Sequence, residues 1–183
     1  MKRPPRSWVE PIELGVDIDE GAPLPHLFLD SHRAVLLFHS GLPQDPLWDG
    51  TTVTVVDPHA HVAQRLAWVV FTGCYFASLG PPNDEALGGH PLAGSGLLPY
   101  SAHEVRGSSL TAEFERRNRV HPYHRREAFD SLRHIIVTFH DETFECLCKD
   151  WACGELNCSF PDGIRSAADA LATGAVELLP PMG

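Results

Sequence analysis

The sequence predicts a β-rich α+β fold, an antiparallel sheet or half-barrel of about six or seven strands with two helices. Three observations lead there. Residues 27–38 and 134–149 both read as β-hairpins. The run from Leu66 to Leu79 is almost continuously apolar and rich in β-branched and aromatic side chains. The helical patterns are few, and they stand apart from the strands instead of alternating with them.

The elements follow in order. Residues 1–25 carry Pro4, Pro5, Pro11, Pro23 and Pro25 and form an extended arm, which Trp8, Val9, Ile12 and Leu14 are suited to pin to the body. Leu27-Phe28-Leu29, a polar turn and Ala34 to Phe38 make the first hairpin. Residues 41–50 are loop, and Thr51 to Val56 is a strand rich in Thr and Val. Leu66 to Leu79 is placed as one central strand covered on both faces, with Gly73 marking a bulge or a close backbone approach. Residues 80–100 form a long loop rich in glycine and proline, a kind that is often functional. Ser108 or Ser109 caps a helix reaching to about Val120, with Leu110 and Phe114 on one face. A short helical turn covers Glu127 to Leu132.

In the second hairpin, a two-residue turn at Asp141-Glu142 pairs His140 with Thr143 and Phe139 with Phe144, and a four-residue loop is expected to keep the same pairing. One face then holds Ile135, Val137, Phe139, Phe144, Cys146 and Cys148; the other holds His134, Ile136, Thr138, His140, Thr143, Glu145, Leu147 and Lys149. A slip by one residue would mix these sets, so the pattern is expected to fix the register. The final helix is expected over Gly163 to Thr173, capped by Asp162 and ended by Gly174, with residues 175–183 as a tail.

The chain has 183 residues, 43% hydrophobic and 21% charged, which suits one folded domain over 1–183. A formal charge of -10 disfavours nucleic-acid binding, because like charges repel the phosphate backbone. Protonating all 11 histidines would carry the charge from -10 to +1, so charge should change steeply as pH falls. The basic start, Met1 to Arg6, is followed by acidic residues and not by the apolar segment of a secretory signal. No stretch is apolar enough to span a bilayer. Five irregularly spaced cysteines read as reduced thiols in a cytoplasmic protein.

Five places could carry chemistry. The first is the 80–100 loop with Asn83, Asp84, Glu85 and His90, where acids and a histidine could move protons or hold a divalent metal. Asn83 and Asp84 are also common turn-capping residues. The second is His121-Pro122-Tyr123-His124, beside five of the fourteen basic residues, Arg116, Arg117, Arg119, Arg125 and Arg126. That patch could take an anionic group, or simply be a solvated helix end. The third is the polar hairpin face, where the register above makes His140 and Glu145 diagonal neighbours. The fourth is Cys146, Cys148, Cys153 and Cys158. It lacks CxxC spacing, so the first two read as core and the last two as exposed thiols in a Gly/Asn-rich loop. The fifth is His59-Ala60-His61, which lacks the downstream glutamate of a cupin motif and remains a bare metal option.

There is no G-x-G-x-x-G after a strand, no phosphate-binding P-loop, no G-x-S-x-G and no H-E-x-x-H. The function expected is a small soluble enzyme with a His/acid-lined pocket, roofed by the 80–100 loop and floored by the polar face of the second hairpin. It would act by general acid–base or metal-assisted chemistry on a polar or anionic small molecule. His90, His140 and Glu145 would be catalytic; Asn83, Asp84, Glu85, Arg117, His121 and His124 would bind substrate. The alternative is a non-catalytic partner that binds or inhibits another protein.

Overall fold

Strand-forming sequence dominates the chain, and a computed structural model describes it for residues 7–41, 57 and 59–178. Among these residues nine strands form two antiparallel sheets. The strands are β1 (Trp8–Pro11), β2 (His26–Leu29), β3 (Arg33–His39), β4 (Gln64–Thr72), β5 (Phe76–Gly80), β6 (Ala102–Arg106), β7 (Arg133–Thr138), β8 (Thr143–Cys148) and β9 (Asp150–Cys158). The helices are α1 (Ser109–Asn118), α2 (Glu127–Asp130) and α3 (Phe160–Thr173). One sheet runs β1-β6-β7-β8-β5 and the other β2-β3-β4-β9. The expected α+β, β-rich class holds, with more strands than the six or seven expected. The loop and strand expected over 41–56 lie outside the described residues beyond Gly41.

Strand alternation builds the layers. Ala34, Leu36, Phe38, Ala67, Val69 and Phe71 face Ile135, Val137, Phe139, Phe144, Cys146 and Cys148 between the sheets. The intervening Val35, Leu37, Leu66, Trp68 and Val70 face α3, meeting Phe160, Ala167 and Ala170. β3 and β4 are therefore covered on both faces, which explains their unbroken apolar runs.

The run from Leu66 to Leu79 is not one strand. β4 pairs with β9 as far as Thr72↔Asp150, whereas β5 pairs with β8 from Phe76↔Leu147. Between them the chain crosses from one sheet to the other at Gly73, with φ +57°. A β-carbon there would lie 2.8 Å from the Lys149 side chain. Lys149 itself joins β8 to β9, so two chain segments turn the same corner between sheets. Only glycine fits that approach with a positive φ.

Other boundaries also differ. β9 is a full nine-residue strand where a Gly/Asn-rich loop was expected. Its Gly154 lies opposite Trp68, and a β-carbon there would meet the indole at 2.6 Å. The glycine makes room for the ring and does not break the strand. Cys158 is correspondingly buried and Cys153 half-buried, and all five cysteines are free thiols. α3 starts earlier than expected: its cap is Ser159, whose Oγ accepts from Asp162 N–H, and Gly174 ends it with φ +81°. The N-terminal arm supplies a strand, β1 on β6, and buries Val9 and Leu14. In the tail, Leu178 is buried against the α3 layer. No helix among the described residues is long and apolar enough to cross a membrane.

Candidate functional site

The hairpin β7–β8 has the expected faces in a different register. Thr138 pairs with Thr143, and Val137 with Phe144, across a four-residue turn in which Phe139 N–H donates to Glu142 O at 2.9 Å. This is a two-residue shift from the expected pairing of Phe139 with Phe144. It leaves every side chain on its expected face but changes which ones meet. Glu145 lies opposite Ile136, its diagonal histidine is His134, and His140 leaves the sheet in the turn.

The outer face of this sheet is covered by residues 81–101, a segment with two short 3-10 turns, Leu87–Gly89 and Ala93–Ser95. Leu87 and Leu97 pack on Val9, Val105 and Ile136. The polar residues of the face satisfy the segment's backbone. Thr143 Oγ1 donates to Pro82 O at 2.8 Å, Thr138 Oγ1 donates to Leu98 O at 2.7 Å, and Leu98 N–H donates to His103 Nε2 at 3.2 Å. A segment poor in regular structure is thus held by side chains from the sheet, as buried backbone groups require.

Between this segment and the start of α1 lies a cavity of about 860 Å³. Pro82, His90 and Leu92 line it from the covering segment, Ser109 and Leu110 from α1, and His134 and Glu145 from the sheet. Strand β6 ends at Arg106, Gly107 turns with φ +62°, and Ser108 caps α1, its Oγ accepting from Thr111 N–H at 3.0 Å. Ser108 Oγ also lies 2.7 Å from His134 Nδ1, and His134 Nε2 lies 2.7 Å from Glu145 Oε1. The His134 side chain is 2% exposed and that of Glu145 24%.

Burial pushes the Glu145 carboxyl up, but the His134 hydrogen bond and charge, with a contribution from His90, outweigh it, and Glu145 ends below the ordinary carboxylate value. An ionised Glu145 can only accept. His134 therefore carries a proton on Nε2 toward Glu145, and in that tautomer the Nδ1 lone pair accepts from the Ser108 hydroxyl. Burial lowers His90 from its ordinary value, partly opposed by the Glu145 charge. Leu92 N–H donates to His90 Nδ1 at 3.2 Å, which leaves the Nε2 proton of neutral His90 free for a ligand.

The expected catalytic set is thus divided. His90 and Glu145 share the cavity, and His140 belongs to a second cluster. There the Tyr100 hydroxyl donates to Asp84 Oδ2, and His140 Nδ1 lies 2.9 Å from the same oxygen and 3.0 Å from Tyr100 Oη. Tyr100 holds Asp84 below the ordinary carboxylate value, with His140 adding to it. In turn the Asp84 hydrogen bond pushes Tyr100 up to about 12 and raises His140. Asp84 N–H also donates to His140 O, so the cluster ties both ends of the covering segment to the β7–β8 turn.

A raised folded-state pKa means the clasp stabilises fully below the unfolded histidine value of about 6.5 and loses that stabilisation as pH rises through the folded value. Asp84→Asn should remove this part of the pH dependence. Urea unfolding of both proteins from pH 5 to 9 checks it; identical pH profiles would refute the clasp.

The other expected residues lie outside the cavity lining. Asn83 Oδ1 accepts from Ala86 N–H at 3.0 Å as a turn cap, and Glu85 is exposed. Arg117 pairs with Glu113 at 2.8 Å and stacks its guanidinium over Phe114. His124 is held by Asn118 and Glu115, each at 3.0 Å, while His121 is exposed and accepts from Tyr123 N–H. Arg116 also pairs with Glu113, and Arg119 with Glu115, so much of the basic patch is neutralised locally. Among the described residues no group of three or more His, Cys, Asp or Glu side chains is placed to hold a metal ion, His59 and His61 included.

Sequence reasoning missed His134 and Ser108 as site residues. His134 was assigned to the polar face, and the two-residue register shift is what concealed its pairing with Glu145. Ser108 was read as a helix cap, which it is, and only the fold brings His134 to its hydroxyl. Comparison with protein-family models, with curated proteins and with solved structures finds no match for this chain.

Proposed function

We propose that the chain is a small enzyme performing general acid–base chemistry on a polar small molecule in the cavity under residues 81–101. The observation that carries this reading is the buried His134, held by Glu145 on one ring nitrogen at the cavity floor. A histidine oriented by a carboxylate is the usual arrangement of a general base. His90, in the covering segment, has its Nε2 available as a second acid or base. Arg116, Arg117 and Arg119 pair with Glu113 and Glu115, and no arginine is among the residues lining the cavity, so the preferred substrate is polar and not highly charged. Core thiols at Cys146 and Cys148 fit a reducing compartment, and we place the protein in the cytoplasm. The charge of -10 argues against nucleic acid as its partner.

A second reading, a protein-binding partner, draws on Val120 and Tyr123, which are 91% and 83% exposed among arginines. Tyrosine and arginine are the residues most often energetically dominant at interfaces.

NMR titration of His90 tests the first reading. In the native protein His90 should titrate below about 6.5, and Glu145→Gln should lower it further by removing the negative charge that opposes the shift. Turnover of a panel of small esters, amides and phosphoesters should fall about 10²–10⁴-fold in His134→Leu, the range for loss of a general base. An unperturbed His90 that ignores Glu145→Gln, together with no turnover across the panel, would leave the protein-binding reading.

A further inference from the structure

We propose that Ser108 is a nucleophile and that the site transfers acyl groups from small carboxylic esters through a Ser108–His134–Glu145 relay. The inference rests on the acid–base reading of the cavity and supplies its reaction class. Three groups in a hydrogen-bonded row, hydroxyl to imidazole to carboxylate at 2.7 Å and 2.7 Å, are the parts of a serine nucleophile and its base. The order of the ring nitrogens is exchanged relative to the serine-protease template, with serine on Nδ1 and the carboxylate on Nε2. Such relays are identified by geometry and role, not by chain order. The G-x-S-x-G motif is absent because this serine caps a helix and does not sit on a nucleophile elbow.

The surroundings favour this oxygen. The ionised Glu145 fixes the His134 tautomer, so the Ser108 proton points at Nδ1. Thr111 N–H donates to Oγ and stabilises developing negative charge there, while occupying only one of its lone pairs. Ser109 lines the cavity, and its chain neighbour Ser108 is half-buried against His134; no imidazole contacts Ser109 among the described residues. The thiols are poorer candidates. Burial pushes Cys74 up to about 11 and raises Cys146, Cys153 and Cys158 as well, which keeps them protonated.

In the first step Ser108 Oγ attacks the ester carbonyl carbon and its proton passes to His134 Nδ1. Glu145 stabilises the imidazolium. The amides of Ser109 and Leu110 open the first turn of α1 beside the cavity, lack intrahelical acceptors, and supply donors for the oxyanion. The carbonyl–alkoxy bond then breaks and the leaving alcohol takes the proton from His134, leaving acyl-Ser108. Water, deprotonated by His134, releases the carboxylic acid and restores the serine.

The test uses the full chain, p-nitrophenyl acetate, and a fluorophosphonate probe with peptide mapping by mass spectrometry. The expected result is a p-nitrophenol burst and modification of Ser108. Labelling should be lost in Ser108→Asn, which keeps a capping oxygen for α1, and should slow about 10²-fold or more in His134→Gln. Ser131→Ala, outside the cavity lining, should label like the native protein. Labelling of Ser109 or any other residue, or none at all, overturns the proposal. If Ser108 is unmodified while Glu145→Gln still shifts His90, the nucleophile alone fails and the acid–base cavity stands; if His90 does not respond either, both fail.

Discussion

Phe139→Ala is expected to lower the free energy of unfolding by about 3–5 kcal/mol, the range for truncating a fully buried phenylalanine. Phe139 is 1% exposed and meets Phe38 edge-to-face, ring centroids 5.1 Å apart, where the two sheets close on each other. It also opens the four-residue turn that sets the β7–β8 register. Truncation leaves a cavity between two sheets whose strands are tied by ladders on both sides, so little collapse can fill it. Urea unfolding followed by tryptophan fluorescence measures the change. A loss below about 1 kcal/mol would mean the side chain is not in the inter-sheet core.

The second large effect is at His134. His134→Leu should destabilise the protein by about 3–5 kcal/mol, because it strands a largely buried carboxylate without its partner. Leucine has about the right size for the site but donates nothing to Glu145 and accepts nothing from Ser108. Adding Glu145→Leu should recover most of that loss, since a buried hydrogen-bonded polar pair is commonly replaceable by apolar side chains at little cost. The double variant should nevertheless remain inactive. A structural pair would show the same recovery of stability, so the separation of stability from turnover distinguishes a working pair from a merely structural one. Denaturant melts of the single and double variants, paired with the ester assay, give both readouts. If the double variant recovered turnover together with stability, His134 and Glu145 would be structural.

Much of the fold was legible in one dimension. Alternation placed Ile135, Val137, Phe139, Phe144, Cys146 and Cys148 on one face, and all six are buried between the sheets. The capping chemistry of Ser108 and the stop at Gly174 were equally local, because a side-chain oxygen near a helix start or a glycine with positive φ acts within a few residues. The apolar run that contains β4 announced burial on both faces. Two readings failed for one reason: glycine in a strand has several causes. At Gly73 it serves a crossing between sheets and at Gly154 it makes room for Trp68, and both depend on residues distant in the chain.

The candidate site was legible in its composition and not in its pairing. The covering segment, the polar hairpin face, His90 and Glu145 are all visible in the sequence. The partner of Glu145 is not, because a register shift of two residues preserves every face and so leaves no trace in the hydrophobic pattern. What selected His134 over His140 is the four-residue turn, which releases His140 to Asp84 and Tyr100. Nor could the pattern tell that Thr138, Thr143 and His103 serve the backbone of residues 81–101. By itself the sequence determined which side chains are buried and which face is polar, since period-two alternation and local capping are properties of neighbouring residues. The tertiary structure decided which polar groups meet, since that depends on turn length and on the hydrogen-bond demands of a segment folded over the sheet from elsewhere in the chain.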